Sequence, residues 1–354
     1  MTTPLEHMFR LGRPKFLMYS NVIYTVGVAA AYKSNPTLPF NLGSYIWVCL
    51  LVHAIHAMTH YFNEYYDFEA DCANKNPSPW TGGSRVLVEG KLKPKVSLLI
   101  GRLISLIVLS NAAIYYGITG NVPATMTIVL GVIFGHGYSA WPLSTSRRGL
   151  GEASVCLVLN ILVPLVGYQS HDPSSPFGNS LLWAILLPLV PIQFVRMMVM
   201  NMADLEPDKI TGKLTLVARL GMQLSCIVHG IGIVFAYILH IWLYVYGYLS
   251  TTTFLLMLIP APIGLRQIPN VFIRPWKFDN PFWSSQHNIL SMAMALAGIL
   301  LSGGRPLSGT SWALIFPLAL ISISVLVLFK KIVDAAKAHE SFNKRQSTVF
   351  AREE

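Results

Sequence analysis

The sequence predicts an all-α fold: a multi-pass transmembrane bundle of nine to ten helices, with cytosolic loops capping a central cavity. Three observations predict it. Charged residues make up only 12% of a 354-residue chain that is 53% hydrophobic, with a mean hydropathy of +0.51, whereas soluble domains carry about 25% charge. Apolar stretches near the ~20 residues needed to cross a bilayer recur about ten times. With those stretches in place, 22 of the 26 Lys and Arg fall on one side, leaving Lys33 and Arg305 opposite and Arg102 and Arg196 inside spans. By the positive-inside rule the basic side, with both termini, is cytosolic. The net charge of +10 is then a matter of orientation and not a nucleic-acid footprint.

The chain opens on PLEHMFRLGRPKF, a short amphipathic lead that sets Arg13 and Pro14 at the membrane surface. Arg13 reads equally as a topogenic anchor and as a substrate-binding group. The first span, 16–33, follows directly on RLGRPK, so no cleaved signal peptide is expected. The second, 44–62, leads into HAIHAMTHYFNEYYDFEAD. His53, His56 and His60 partly share the face of Asn63 and Asp67. Histidines at i and i+4 can ligate one ion, but no second histidine cluster exists, and satisfied polar groups within the bundle are the better reading.

Asn63, Asp67 and Asp71 stand four residues apart, a spacing at which successive helical residues drift by only ~40° and rise ~6 Å. The three oxygens share one face. The stretch that follows, CANKNPSPWTGGSRVLVEGKLKPK, cannot be one helix, because Pro77 and Pro79 remove donors and Gly82-Gly83 loosens the backbone. It is long enough to fold over the end of the bundle, bringing Arg85 beside the acidic residues.

Spans at 96–117 and 122–141 come next, and YSAWPLSTSRRGLGE returns Tyr138, Arg147 and Arg148 to the cytosolic face. The arginines read as topogenic charges, with Arg148 available to an anion. Beyond the fifth span, 152–168, the sixth, 180–200, carries Arg196 near its end. A charge at that depth has a reason, either an ion pair with a carboxylate or contact with substrate. If the helix runs through, Arg196, Asp204 and Asp208 project from nearly one face. Asn201, Asp204 and Asp208, in NMADLEPDKITGKLTL, repeat the earlier arrangement, and Lys213 stands five residues on. Of the 16 acidic residues, Glu64, Asp67, Glu69, Asp71, Asp204, Glu206 and Asp208 fall in these two runs.

Four further spans, 223–247, 251–265, 286–303 and 311–330, complete a single transmembrane domain over 1–330. The loop RQIPNVFIRPWKFDNPFWSSQ reads as an interfacial aromatic belt, and 331–354 as a basic cytosolic tail. Cys49, Cys72, Cys156 and Cys226 are scattered and predict neither a disulfide framework nor a CxxC metal site.

Carboxylate and amide oxygens without cysteine suit a hard cation such as Mg²⁺, which is held by one or two carboxylates, waters and substrate phosphate oxygens. The nearby Lys and Arg suit the phosphates. Two such runs at one mouth predict two or more ions clamping one diphosphate, above an apolar interior with room for a hydrocarbon tail.

Asn63xxxAsp67xxxAsp71, together with Asp204xxxAsp208 followed by Gly212-Lys213-x-Thr215-Leu216, resembles the paired signatures of the UbiA superfamily of intramembrane prenyltransferases. TGGSRVLVEG and YSAWPLSTSRRGLGE are similar to the branch that prenylates dihydroxynaphthoate for menaquinone. The resemblance runs from Arg13 to about residue 303, and it makes the tenth span an addition. It implies that Asn63, Asp67, Asp71, Asp204 and Asp208 hold Mg²⁺ on an isoprenyl diphosphate. Lys213, Arg85, Arg13 and Arg148 neutralise the remaining charge, and an aromatic or quinol-type acceptor captures the allylic cation. Where many members have Arg-Thr-x-x-Arg-Pro-Leu, this chain has NPSPWTGGSRVL, which leaves the acceptor open. A terpene cyclase acting on farnesyl or geranylgeranyl diphosphate needs the same ionising residues. An ion or metabolite transporter is the alternative of another class. No obligate protein partner is expected.

Overall fold

The structure is a computed structural model that describes residues 3–322, apart from Pro36, Asn76, Ser175 and Phe278. Among the described residues it is helical, without strands. The helices are α1 (Pro4–Leu11), α2 (Leu17–Ser34), α3 (Leu42–Tyr66), α4 (Phe68–Ala73), α5 (Pro94–Thr119), α6 (Val122–Gly137), α7 (Gly151–Val155), α8 (Val163–Gln169), α9 (Ser180–Ala203), α10 (Leu205–Ile210), α11 (Leu216–Leu220), α12 (Met222–Val245), α13 (Thr251–Leu258), α14 (Ala261–Ile273) and α15 (Asn280–Leu301). A π-helical stretch, Cys156–Leu162, joins α7 to α8. Six stretches are long and apolar enough to cross a membrane: α3, α5, Gly151–Gln169, α9, α12 and Thr251–Ile273.

Local chemistry sets the starts of these helices. Asn41, Asn121, Asn179 and Ser250 accept the backbone N–H groups of Ser44, Ala124, Leu182 and Thr253, satisfying donors that have no partner inside the helix. Proline shapes the interiors. Pro164 has no N–H to give to residue 160, and the wider π winding ahead of it absorbs the defect. Pro260 and Pro262 split the eighth predicted span into α13 and α14, which runs on to Ile273, well past the expected end at 265.

α2 is the central helix. Every side chain from Val22 to Tyr32 is buried, and α2 packs against α3, α8, α9 and α15. Against α8 the two backbones nearly touch. A Cβ on Gly27 would lie 1.9 Å from the Pro164 carbonyl oxygen, and one on Gly167 would lie 2.3 Å from the Tyr24 carbonyl oxygen. Small residues allow that approach between apolar helices. The outer helices show the reverse pattern, with Leu103, Leu106 and Ile107 of α5 and Ile231, Phe235 and Ile238 of α12 exposed. An apolar exterior over a partly polar interior suits lipid.

The chain forms two compact units, Met1–Leu314 and Ile315–Glu354. The first carries everything described below. Of the predicted tenth span, 311–330, the helical stretch to Ser322 is described. The remainder, and the predicted basic tail, lie outside the described residues.

Candidate active site

Two helix breaks build the mouth of a cavity. α3 ends at Tyr66 and α4 begins at Phe68, with Asp67 between them at φ −96°, ψ 5°. α9 ends at Ala203 and α10 begins at Leu205, with Asp204 between them at φ −102°, ψ 9°. The i to i−4 bonds carry through the first break, where the Asp67 and Asp71 amides donate to the carbonyls of Asn63 and Asp67 at 2.8 and 2.9 Å, and they resume after the second, where Asp208 donates to Asp204 at 3.0 Å. The spacing of four therefore keeps its meaning from Asn63 to Asp71 and from Asp204 to Asp208. α4 packs on α10, which brings the two acidic runs to one mouth.

Lys213 links them. Its Nζ donates to Asp67 Oδ2 at 2.8 Å and stands 3.3 Å from Asp208 Oδ1, with Asp67 4% and Asp208 1% exposed. Burial alone pulls an ammonium down, but Asp67 and Asp208 more than offset it and hold Lys213 well above its ordinary range. Burial pushes the carboxyl of Asp71 up to about 8, of Asp208 to about 7 and of Asp204 to about 6, with Lys213 working against it in each case. Asp67 also accepts from the Asn63 amide at 2.7 Å, and Asp204 accepts from the Asn74 amide at 2.8 Å.

Asp67 Oδ1 and Asp208 Oδ2 are buried with no hydrogen-bond partner. A buried carboxylate oxygen without a donor costs about 1–3 kcal/mol or more, and a cation removes that cost. Among the described residues no three His, Cys, Asp or Glu side chains enclose a metal by themselves. Mg²⁺ does not require such an enclosure, since it keeps waters and takes substrate phosphates. Asn63, Asp67, Asp71, Asp204 and Asp208 all line the cavity and supply only oxygen donors of the hard class.

Below the mouth the walls are largely apolar, through Val52, Ile55, Phe134, Val158, Leu159 and Met200, with His56 and His60 among them, and Tyr138 also lines the cavity. The π stretch contributes Val158 and Leu159, so the winding defect faces the cavity. Arg196 also lines it, 5% exposed, with its guanidinium 4.4 Å from the Tyr19 ring centroid and 5.9 Å from that of Phe16.

Several placements differ from those expected of the sequence. Arg196 has no carboxylate ion pair among the described residues, and its Nε is buried without a partner. Arg196, Asp204 and Asp208 all line the cavity, with the break at Asp204 standing between the two helices that carry them. Arg148 is exposed at the end of a 3-10 turn and does not line the cavity, while Arg147 donates to the Tyr66 carbonyl at 2.8 Å. Arg85, at φ 66°, spends its guanidinium on the carbonyls of Asp71 and Gly82 and faces a second cleft. Arg13 reaches the cavity, held to Glu64 at 2.6 Å.

Of the histidines, His53 bonds the Cys49 carbonyl and His56 bonds Ser20, while His60 Nε2 is left without a partner. All four cysteines are free. Three organising residues were not singled out from sequence. Glu64, 2% exposed, holds Arg13 and both the amide and hydroxyl of Ser84, tying the lead and the loop to α3. Asn74 holds Asp204, and Glu152 holds Asn201 at 2.7 Å. Only the acidic clustering around Glu64 carried any signal.

A family model described as the UbiA prenyltransferase family matches residues 21–277. The chain belongs to this family. It is accordingly an integral membrane protein, and Mg²⁺-bound structures exist among its relatives in fold. This UbiA-family chain is similar to a UbiA homologue from Archaeoglobus fulgidus bound to DMAPP and Mg²⁺, with a TM-score of 0.57 at 17% identity over 83% of this chain and 99% of that one. A UbiA homologue from Aeropyrum pernix K1, in its apo state, gives 0.61 at 18% identity over 81% of this chain and 98% of that one. A structure from work on digeranylgeranylglyceryl phosphate synthase gives 0.57 at 17% identity over 84% and 98%. At these identities the likeness is one of fold. Among curated proteins none matches the chain.

Proposed function

We propose that the protein transfers an isoprenyl group from an isoprenyl diphosphate to an aromatic or quinol-type acceptor, at a mouth facing the cytosol. One observation carries the reading: Lys213 joins Asp67 to Asp208 at the opening of a cavity whose mouth is charged and whose deeper wall is largely apolar, with Arg196 and His60 as polar points in it. An isoprenyl diphosphate has the same polarity along its length. UbiA homologues of the same fold bind DMAPP and GPP with Mg²⁺, which supports the donor class.

Asn63, Asp67 and Asp71 on one side, and Asp204 and Asp208 on the other, would hold two or more Mg²⁺. Bound there, the metal supplies charge neutralisation to the departing diphosphate. Lys213 and Arg13 add fixed positive charge to the same mouth. The apolar wall excludes water from the allylic carbon. Arg196 and His60, each with a buried nitrogen lacking a partner, offer polar contacts to ring substituents of the acceptor.

The test supplies purified protein with farnesyl and geranylgeranyl diphosphates, with and without a panel of phenols and quinols. Mg²⁺-dependent diphosphate release that waits for the acceptor is expected, with EDTA stopping turnover. Release of a cyclic hydrocarbon without acceptor would make the protein a cyclase. Ion uptake into proteoliposomes without diphosphate cleavage would make it a transporter.

A further inference from the structure

A second cleft lies beside the mouth, between the N-terminal lead and the Pro77–Arg85 loop. It shares Arg13, Phe16, Trp80 and Gly83 with the main cavity. The partition is aromatic: Phe16 meets Trp80 edge-on at 5.9 Å, and Lys15 Nζ sits 5.0 Å from each ring.

The cleft is lined by basic residues and no acidic ones, with Glu89 acting on Arg10 and Arg85 only from beyond ion-pair distance. Arg13 is paired with Glu64, but Arg10, Lys15 and Arg85 make no ion pair among the described residues, and Arg85 spends its hydrogen bonds on neutral carbonyls. Three cations held at one concave surface repel one another, and their mutual field is relieved by a multivalent anion. Arginine suits phosphate oxygens by its forked donors, and lysine suits them as a point charge. Topogenic charge alone requires neither a cleft nor convergence of residues from two segments far apart in sequence.

We infer that this cleft is a second anion site, outside the catalytic mouth, that takes a metal-free diphosphate as it passes between the mouth and the aqueous phase. The main mouth is acidic and needs a divalent cation to hold such a ligand. The cleft is basic and needs none. The two sites are therefore separable by chelation, whether or not the mouth catalyses prenyl transfer.

The experiment titrates inorganic pyrophosphate into the full chain, in phosphatidylcholine nanodiscs with EDTA, and reads binding by calorimetry. Wild type is expected to bind. Arg10→Gln with Lys15→Gln should weaken binding at least tenfold, and Arg10→Lys should retain it. Arg148→Gln should leave it within twofold, because that exposed arginine lines neither the cleft nor the cavity. A folded Gln variant that binds as wild type does, as judged by an unchanged melting profile, overturns the inference. Should the double variant not fold, either single Gln variant carries the same test. Nanodiscs containing phosphatidylglycerol separate the other source of phosphate: if anionic lipid abolishes pyrophosphate binding, a lipid headgroup occupies the cleft and the diphosphate assignment fails.

Discussion

At the scale of single residues, the site is a balance of buried charges centred on one ammonium. Breaking a buried ion pair from one side costs about 3–5 kcal/mol, and Lys213 serves two carboxylates. Lys213→Ala should therefore lower the melting temperature of the metal-free protein, and Mg²⁺ should recover part of the loss in a thermal melt. The pH dependence has a definite sign. Burial holds Asp204, Asp208 and Asp71 at about 6, 7 and 8, above the ~3.9 of an unfolded aspartate. Between those values and ~4 the folded chain binds more protons than the unfolded one, so stability falls as pH rises. Melts of EDTA-treated protein should show a decline from pH 5 to pH 8, and saturating Mg²⁺ should flatten it. Gly83 gives a third outcome at this scale. Its φ is +76°, and a Cβ there would stand 2.2 Å from Asp71 Oδ2. Gly83→Ala should displace Asp71 and cut activity at least tenfold while the protein still folds. The spacing of Asn63, Asp67 and Asp71 was legible in the sequence because it is a helical period. The match of Gly83 to Asp71 was not, because it depends on how a loop without periodicity folds back.

At the scale of elements, the two acidic runs share one construction: an apolar helix, an aspartate at a break, and a short helix that carries the second aspartate. The hydrophobic runs gave helices, six stretches of which are long and apolar enough to cross a membrane, and the i to i−4 bonds from Asn63 to Asp71 and from Asp204 to Asp208 explain why a reading based on straight helices still placed the aspartates together. The same reading left Arg196 open between an ion pair and substrate, and among the described residues its guanidinium meets the rings of Tyr19 and Phe16. It was also blind to neighbours. A span that is apolar on all sides, as α2 is, announces burial but not the helix it touches, and the contact with α8 rests on Gly27 and Gly167. The Cβ of Gly27→Ala would meet Pro164 backbone, not a side chain that could swing away. The helices would have to part, and because α2 and the π stretch both line the cavity, the variant should lose its folded, monodisperse peak in size-exclusion chromatography. Ala30→Gly, on the same helix, should keep that peak.

At the scale of the whole molecule, residues 146 positions apart, Asp67 and Lys213, meet in one ion pair, and the chain between them joins α2 and α3 in supplying the wall beneath. The sequence showed two acidic runs of like design and a one-sided basic charge, and from those the pairing at a single mouth was inferable. Distance along the chain hid the connectors, Glu64, Asn74 and Glu152, because none belongs to a repeated pattern. If both runs grip the same diphosphate, their contributions to ligand binding cannot be independent. A non-reactive isoprenyl thiodiphosphate with Mg²⁺ should raise the melting temperature by mass action on the folded state. Asp67→Ala and Asp208→Ala should each remove most of that rise, and the double variant should remove little more than either alone. Residues that share a ligand couple in this way, whereas distant, independent sites add. An additive double variant would mean that the two runs hold separate ligands, and the clamp across the mouth would have to be given up even if each aspartate proved necessary.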